Sequence, residues 1–138
     1  MLGTGLTHLQ LAQALARTGA LGSAIDAARD AVKYASLPHD CALLAEAHRV
    51  LGTLLLRGNA ASGEGEAELV RALAVARAQG ARSLELRAAM AIARSRRADF
   101  APLREVYGRF TEGFDTADLM EARGILDTAG VGAHARAH

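Results

Sequence analysis

The stretch LGTLLLRGNAASGEGEAELVRA, residues 51–72, decides the fold of this 138-residue chain. A large residue precedes a small one at Leu51-Gly52, and Leu55 follows one helical turn later. A turn rich in Gly, Ala and Ser then breaks the rhythm, and Gly65, Leu69 and Ala72 resume it at helical spacing. The spacing has a physical reason: a small residue in the first helix lets its partner come close, and Ala in the second leaves room for the next pair. About 40 positions earlier the same order appears as Leu11-Ala12, Leu15, a turn at Gly19, then Ala24, Ala28 and Ala31. Self-similarity at this period is the mark of stacked helical hairpins.

Composition agrees. Apolar residues make up 51% of the chain but aromatic residues only 4%, with no Trp, so Ala and Leu must build the core. No run alternates with period two, which argues against strands. The fold class is therefore all-α: a solenoid of about three helical hairpins plus a C-terminal capping helix. The hairpins are expected at about residues 6–36, 41–79 and 82–110, the cap helix at 116–128, and a flexible tail at 129–138; residues 1–128 form the domain. Thr18-Gly19 and Gly80 read as helix stops, and Asp40 as the N-cap of a third helix over 41–57. Asp99 suits the start of a sixth helix, with Pro102 tolerated in its first turn. The third unit is degraded, since Ser95 to Ala98 lacks a turn glycine.

The pattern resembles the tetratricopeptide repeat. Four of the five aromatic residues lie between Phe100 and Phe114. Overlapping that part, the run Val106-Tyr107-Gly108-Arg109-Phe110-Thr111-Glu112-Gly113-Phe114-Asp115-Thr116-Ala117-Asp118-Leu119 resembles the C-terminal end of a family of large bacterial regulators, as do Ala74 to Ala89, Glu46-Ala47-His48-Arg49 and Leu54-Leu55-Leu56. Those regulators join a class III nucleotide cyclase domain, or a DNA-binding domain, to a predicted ATPase module and a long tetratricopeptide array. The resemblance spans roughly residues 42–127. It implies a non-catalytic protein–protein interaction or scaffold module in cytoplasmic signalling; a stand-alone adaptor or self-association module is the alternative. No cyclase or ATPase segment is included, and no Gly-x-x-x-x-Gly-Lys-Ser/Thr loop occurs. The chain departs from its relatives in the short third hairpin.

Candidate chemistry is sparse. Cys41 is alone, so neither a disulfide nor a cysteine metal pair forms. His39-Asp40-Cys41 are neighbours in a turn after Pro38, and a catalytic site there would draw on Glu46; a capping Asp beside a half-buried Cys is the simpler account. His134 and His138 share metal-ligand spacing but have no third ligand near them in sequence. Neither metal nor cofactor is expected. Glu64, Glu66 and Glu68 favour a helix start, and Arg94, Arg96 and Arg97 a helix end. With 16 basic against 15 acidic residues, no nucleic-acid partner is indicated. No long apolar run indicates a membrane span, and nothing resembles a signal peptide, so a cytoplasmic location is expected.

Projecting the tetratricopeptide pattern gives a sharper surface. The first helix of each hairpin lines the groove. That places Leu9, Gln13 and Arg17 there, then Glu46, Arg49, Thr53 and Arg57, then Ala89, Arg96 and Arg97. This net-basic surface suits an acidic protein or peptide segment, extended or helical. Self-association through an uncapped N-terminal hairpin is the other partner expected. Tyr107, Phe110, Phe114 and Asp115 are assigned to the closing cap, the aromatics by burial and Asp115 at the start of the last helix.

Overall fold

Two glycines turn the opening stretch into a close helix pair. Gly52 and Gly65 face each other across the third and fourth helices. A Cβ at position 52 would fall 2.7 Å from the Gly65 carbonyl oxygen and 2.8 Å from Leu69 Cδ2. A Cβ at position 65 would fall 2.7 Å from Leu56 Cγ. Only glycine at both places lets the two backbones meet.

The computed structural model describes residues 4–36, 42–59, 62–95 and 99–137. Among them are seven helices and no strand: α1 (Thr4–Arg17), α2 (Leu21–Ala35), α3 (Leu44–Asn59), α4 (Glu64–Gln79), α5 (Arg82–Arg94), α6 (Ala101–Gly108) and α7 (Ala117–Ala137). Each helix packs against its chain neighbours. In addition α1 packs on α3, α3 on α5 and α5 on α7. Among the described residues no two even-numbered helices pack backbone to backbone, and the ion pairs Arg29–Glu64 and Arg77–Glu105 reach between them. The odd helices thus form one continuous layer and the even ones lie outside it.

The glycine stops work as the sequence indicates. Gly19 has φ +87° and Gly80 φ +66°. After α1, the Ala20 amide donates to the Leu15 carbonyl at 3.0 Å and the Gly19 amide to Ala16 at 3.2 Å. After α4, the Ala81 amide donates to Ala76 at 2.9 Å and the Gly80 amide to Arg77 at 3.1 Å. Both are Schellman closures, in which a left-handed residue turns the last amides back onto orphan carbonyls.

Two apolar clusters make the core. Leu9, Ala12, Ala24, Ala28, Ala31, Val50, Leu51 and Leu54 join α1, α2 and α3. Leu69, Ala72, Leu86, Ala89, Ile92, Leu103, Val106 and Leu119 join α4 to α7. Ala24, Ala28, Ala31 and Ala35 have no exposed surface, so α2 packs at close range on both sides. The clusters adjoin along α3 and α4, where the glycines sit.

Four expectations are corrected. α7 runs to Ala137 rather than ending near Thr128; no proline interrupts this Ala-rich segment, so Gly130 does not stop it. The cap of α7 is Thr116 rather than Asp115: the Leu119 amide donates to Thr116 Oγ1 at 3.5 Å, and Asp115 is exposed. α3 begins at Leu44, after a short turn at Ala42-Leu43. α6 ends at Gly108, two residues before Phe110. Asp99 does brace the start of α6, accepting from the Ala101 amide at 3.1 Å. Pro38 to Cys41, including the Asp40 cap, lie outside the described residues, as do Arg96 to Ala98.

Candidate interaction groove

The odd-helix layer encloses a groove of about 570 Å³ between α3, α5 and α7. Helical spacing builds its walls. On α3, Arg49, Thr53, Leu56 and Arg57 recur at steps of four, three and one; on α5, Arg87, Met90, Ala91 and Arg94 recur at steps of three, one and three. Both patterns keep one face toward the opening. α7 contributes Asp118 and Glu121, three apart on its own facing side. Leu56, Met90 and Ala91 supply the apolar floor.

Ion pairs tie the walls together. Arg49 grips Glu46 with two hydrogen bonds, Nε to Oε1 at 2.8 Å and Nη2 to Oε2 at 2.9 Å. Arg87 reaches in both directions, to Asp118 at 3.0 Å and to Glu46 at 3.5 Å. Arg94 pairs with Glu121. Burial opposes the charge on Glu46, but the Arg49 hydrogen bonds and charge, reinforced by Arg87, outweigh it and hold the carboxyl below its ordinary pKa. The bond to Asp118 holds the Arg87 guanidinium above its ordinary value, against the opposing effect of burial and with further support from the Asp118 and Glu46 charges.

Four groove arginines therefore face three carboxylates. The exposed Arg57 has no ion-pair partner among the described residues. The surface keeps a basic excess, but it is concentrated at one end rather than spread along the groove. A guanidinium at the mouth beside an apolar floor suits an acidic group followed by apolar side chains.

The sequence-assigned groove residues separate. Glu46, Arg49, Thr53 and Arg57 come together there, with Glu46 behind the wall rather than in it. Leu9 does not belong: it is 6% exposed and packs inside the first cluster. Ala89 is likewise fully buried. Arg17 is exposed and Gln13 half-buried on α1, and neither lines the groove. Arg96 and Arg97 lie outside the described residues. Sequence projection missed Arg87, Met90, Arg94, Asp118 and Glu121. The recurrence of Arg87, Met90 and Arg94 at steps of three and four is the signal that marks them as one face.

The other candidates serve packing. Glu64 pairs with Arg29 of α2 at 3.3 Å. Glu68 accepts from His48 Nδ1 at 2.6 Å and also pairs with Arg71, bridging α3 and α4. Among the described residues no group of three His, Cys, Asp or Glu is placed to hold a metal ion. His39 and Cys41 lie outside the described residues. His134 and His138 fall at the chain end, His138 outside the described residues.

The aromatic segment divides. Tyr107 and Phe110 pack against the second cluster, and Arg82 lies over the Phe110 ring at 5.7 Å. Phe114 is 45% exposed and meets Tyr107 edge-on at 5.8 Å. The buried carboxylate of Glu85 fastens this end: Arg77 Nε donates to it at 3.0 Å and Arg109 pairs with it from beyond α6. No helix among the described residues is long and apolar enough to cross a membrane. Comparison with models of protein families, with curated proteins and with solved structures found no match.

Proposed function

We propose that this chain is a tetratricopeptide-like α-solenoid of about three hairpins, closed by α7, and that it serves as a non-catalytic protein-interaction module. The ordering of odd and even helices into two layers supports the solenoid. The resemblance of Val106 to Leu119 supports a place in the C-terminal repeat region of a cyclase/ATPase-type signalling or transcriptional regulator. The single observation that carries the binding role is the groove between α3, α5 and α7. Three of its arginines are held by carboxylates, its floor is apolar, and Arg57 at its mouth has no ion-pair partner among the described residues.

The partner proposed is a protein or peptide segment with an acidic residue for Arg57 and apolar side chains for Leu56 and Met90. Selection from a displayed random-peptide library tests this. The wild-type chain should enrich peptides in which an acidic residue precedes apolar ones. Arg57→Glu, which breaks no ion pair described above, should lose that enrichment while its melting temperature stays unchanged. Identical peptides selected by both chains would refute the groove as the binding surface. Arg49→Glu with Arg57→Glu should abolish selection, with part of the effect arising from the lost grip on Glu46.

A further inference from the structure

The three carboxylates that answer the groove arginines are not held alike. Glu46 lies behind the α3 wall with 15% of its side chain exposed. It accepts two hydrogen bonds from Arg49 and meets Arg87 at 3.5 Å. Arg49 is therefore committed to it. Asp118 and Glu121 stand on α7 with 34% and 42% of their side chains exposed, and both line the groove. Each meets one half-exposed arginine of α5: Asp118 meets Arg87 at 3.0 Å, and Glu121 meets Arg94. Ion pairs this open to water add little to folding, because both charges stay largely hydrated. They can be exchanged for other pairs at small cost.

We infer that Asp118 and Glu121 stand in for carboxylates of the partner, which is a segment with several acidic residues that takes over Arg87 and Arg94 as well as Arg57. The inference rests on the groove being the binding surface. Arg87 and Arg94 already present themselves to the cavity, so an incoming carboxylate needs no rearrangement of α5. Each exchange replaces one half-exposed ion pair by another, and the displaced α7 carboxylate returns to water. Glu46 keeps its contact with Arg87 meanwhile, so that guanidinium stays positioned. Arg87 and Arg94 are seven residues apart, about 10 Å along the axis of α5. An extended chain covers that distance in about three residues. The groove thereby favours a segment with two acidic residues at that spacing over one with a single acid.

Fluorescence anisotropy of a fluorescein-labelled peptide, Glu-Glu-Leu-Leu-Glu-Glu-amide, titrated with the full chain tests the inference. Asp118→Asn with Glu121→Gln removes both stand-ins while keeping side-chain shape, and should bind the peptide at least about 5-fold more tightly than wild type. Glu64→Gln with Glu105→Gln removes the same charge from two ion pairs outside the groove and should bind as wild type does. Adding Arg87→Met and Arg94→Met to the α7 variant should cancel its gain. Each single exchange, Asp118→Asn or Glu121→Gln, leaves α7 one of its two ion pairs and should tighten binding by about twofold; these decide the matter if circular dichroism shows the double variant unfolded. Affinity that is unchanged or weaker in the folded α7 variants overturns the inference, since the two carboxylates would then only brace α7. An equal gain in the control pair also overturns it, because net charge alone would account for the effect. Arg57→Glu binding the peptide as well as wild type overturns the groove reading itself, and the inference with it.

Discussion

Gly52→Ala inverts the usual effect of alanine in a helix. In an unobstructed helix the exchange stabilises by about 1 kcal/mol. Here the new Cβ would sit 2.7 Å from the Gly65 carbonyl oxygen and 2.8 and 2.9 Å from two carbons of Leu69. Reaching 3.4 Å, the start of ordinary contact, needs a retreat of about 0.7 Å. Neither neighbour yields readily: one is backbone, and Leu69 has no exposed surface. Overpacking of this kind costs about 3 kcal/mol at the upper end of its range. Set against the helix gain, the net loss is about 2 kcal/mol. At about 3–5 °C per kcal/mol for a chain of this length, the melting temperature should fall by about 6–10 °C. Gly124→Ala is the internal control. Gly124 lies within α7 and is exposed, and a Cβ there would have nothing within 4 Å. That exchange should raise the melting temperature by about 3–5 °C. Thermal unfolding followed by circular dichroism separates the two. Gly52→Ala melting at or above wild type would refute the close backbone contact.

The Glu85 clamp should respond non-additively. Arg77→Met or Arg109→Met leaves the buried carboxylate one partner and costs about 1 kcal/mol, whereas the double variant leaves it none and costs about 3–5 kcal/mol in denaturant unfolding; strictly additive losses would contradict a shared carboxylate. Phe110→Ala should cost about 2 kcal/mol and Phe114→Ala less than about 1 kcal/mol, because only the first packs against the core; equal losses would remove the distinction. Glu46 gives a pH signature. Its folded-state pKa lies below the ordinary value of 4.5. Its stabilising contribution is thus complete above that value and lost as pH falls through the lower folded one. The stability advantage of wild type over Glu46→Gln should therefore hold at neutral pH and shrink in acid, and a difference that grows on acidification would reverse the sign.

The helices were legible because the residues that end them act locally. Gly19 and Gly80 need only their own backbone conformation to stop a helix, and Leu51-Gly52 with Gly65-Leu69 carries its packing partner within one short stretch. Part of the groove was legible for the same reason: Arg49, Thr53 and Arg57 share a face by spacing alone. The α5 side was misassigned because the sequence projection chose Ala89, about 100° round the helix from Met90. An alanine fits either face, so composition did not distinguish them. The Glu85 clamp was invisible because its arginines lie 8 and 24 residues away in sequence. Its only trace is a lone acid in the stretch Leu84 to Ala93, where Arg87 is the one other charged residue. The cap of α7 shifted by one residue because Asp115 and Thr116 are both good capping types, and only the turn after Gly113 selects between them.

The meeting of Gly52 with Gly65 also bears on how the groove behaves mechanically. Where side chains separate two helices, rotamer changes let one slide past the other like gears with play. Here neither glycine has a side chain to rotate, and the backbone of the fourth helix bears directly on that of the third, with Leu56 and Leu69 packed beside the contact. The two apolar centres on either side are clasped at a fixed spacing, and α3, one wall of the groove, is held from behind. The α3 wall of the groove is therefore braced along its back. For the partner proposed above, ordering that wall would then take little of the binding free energy.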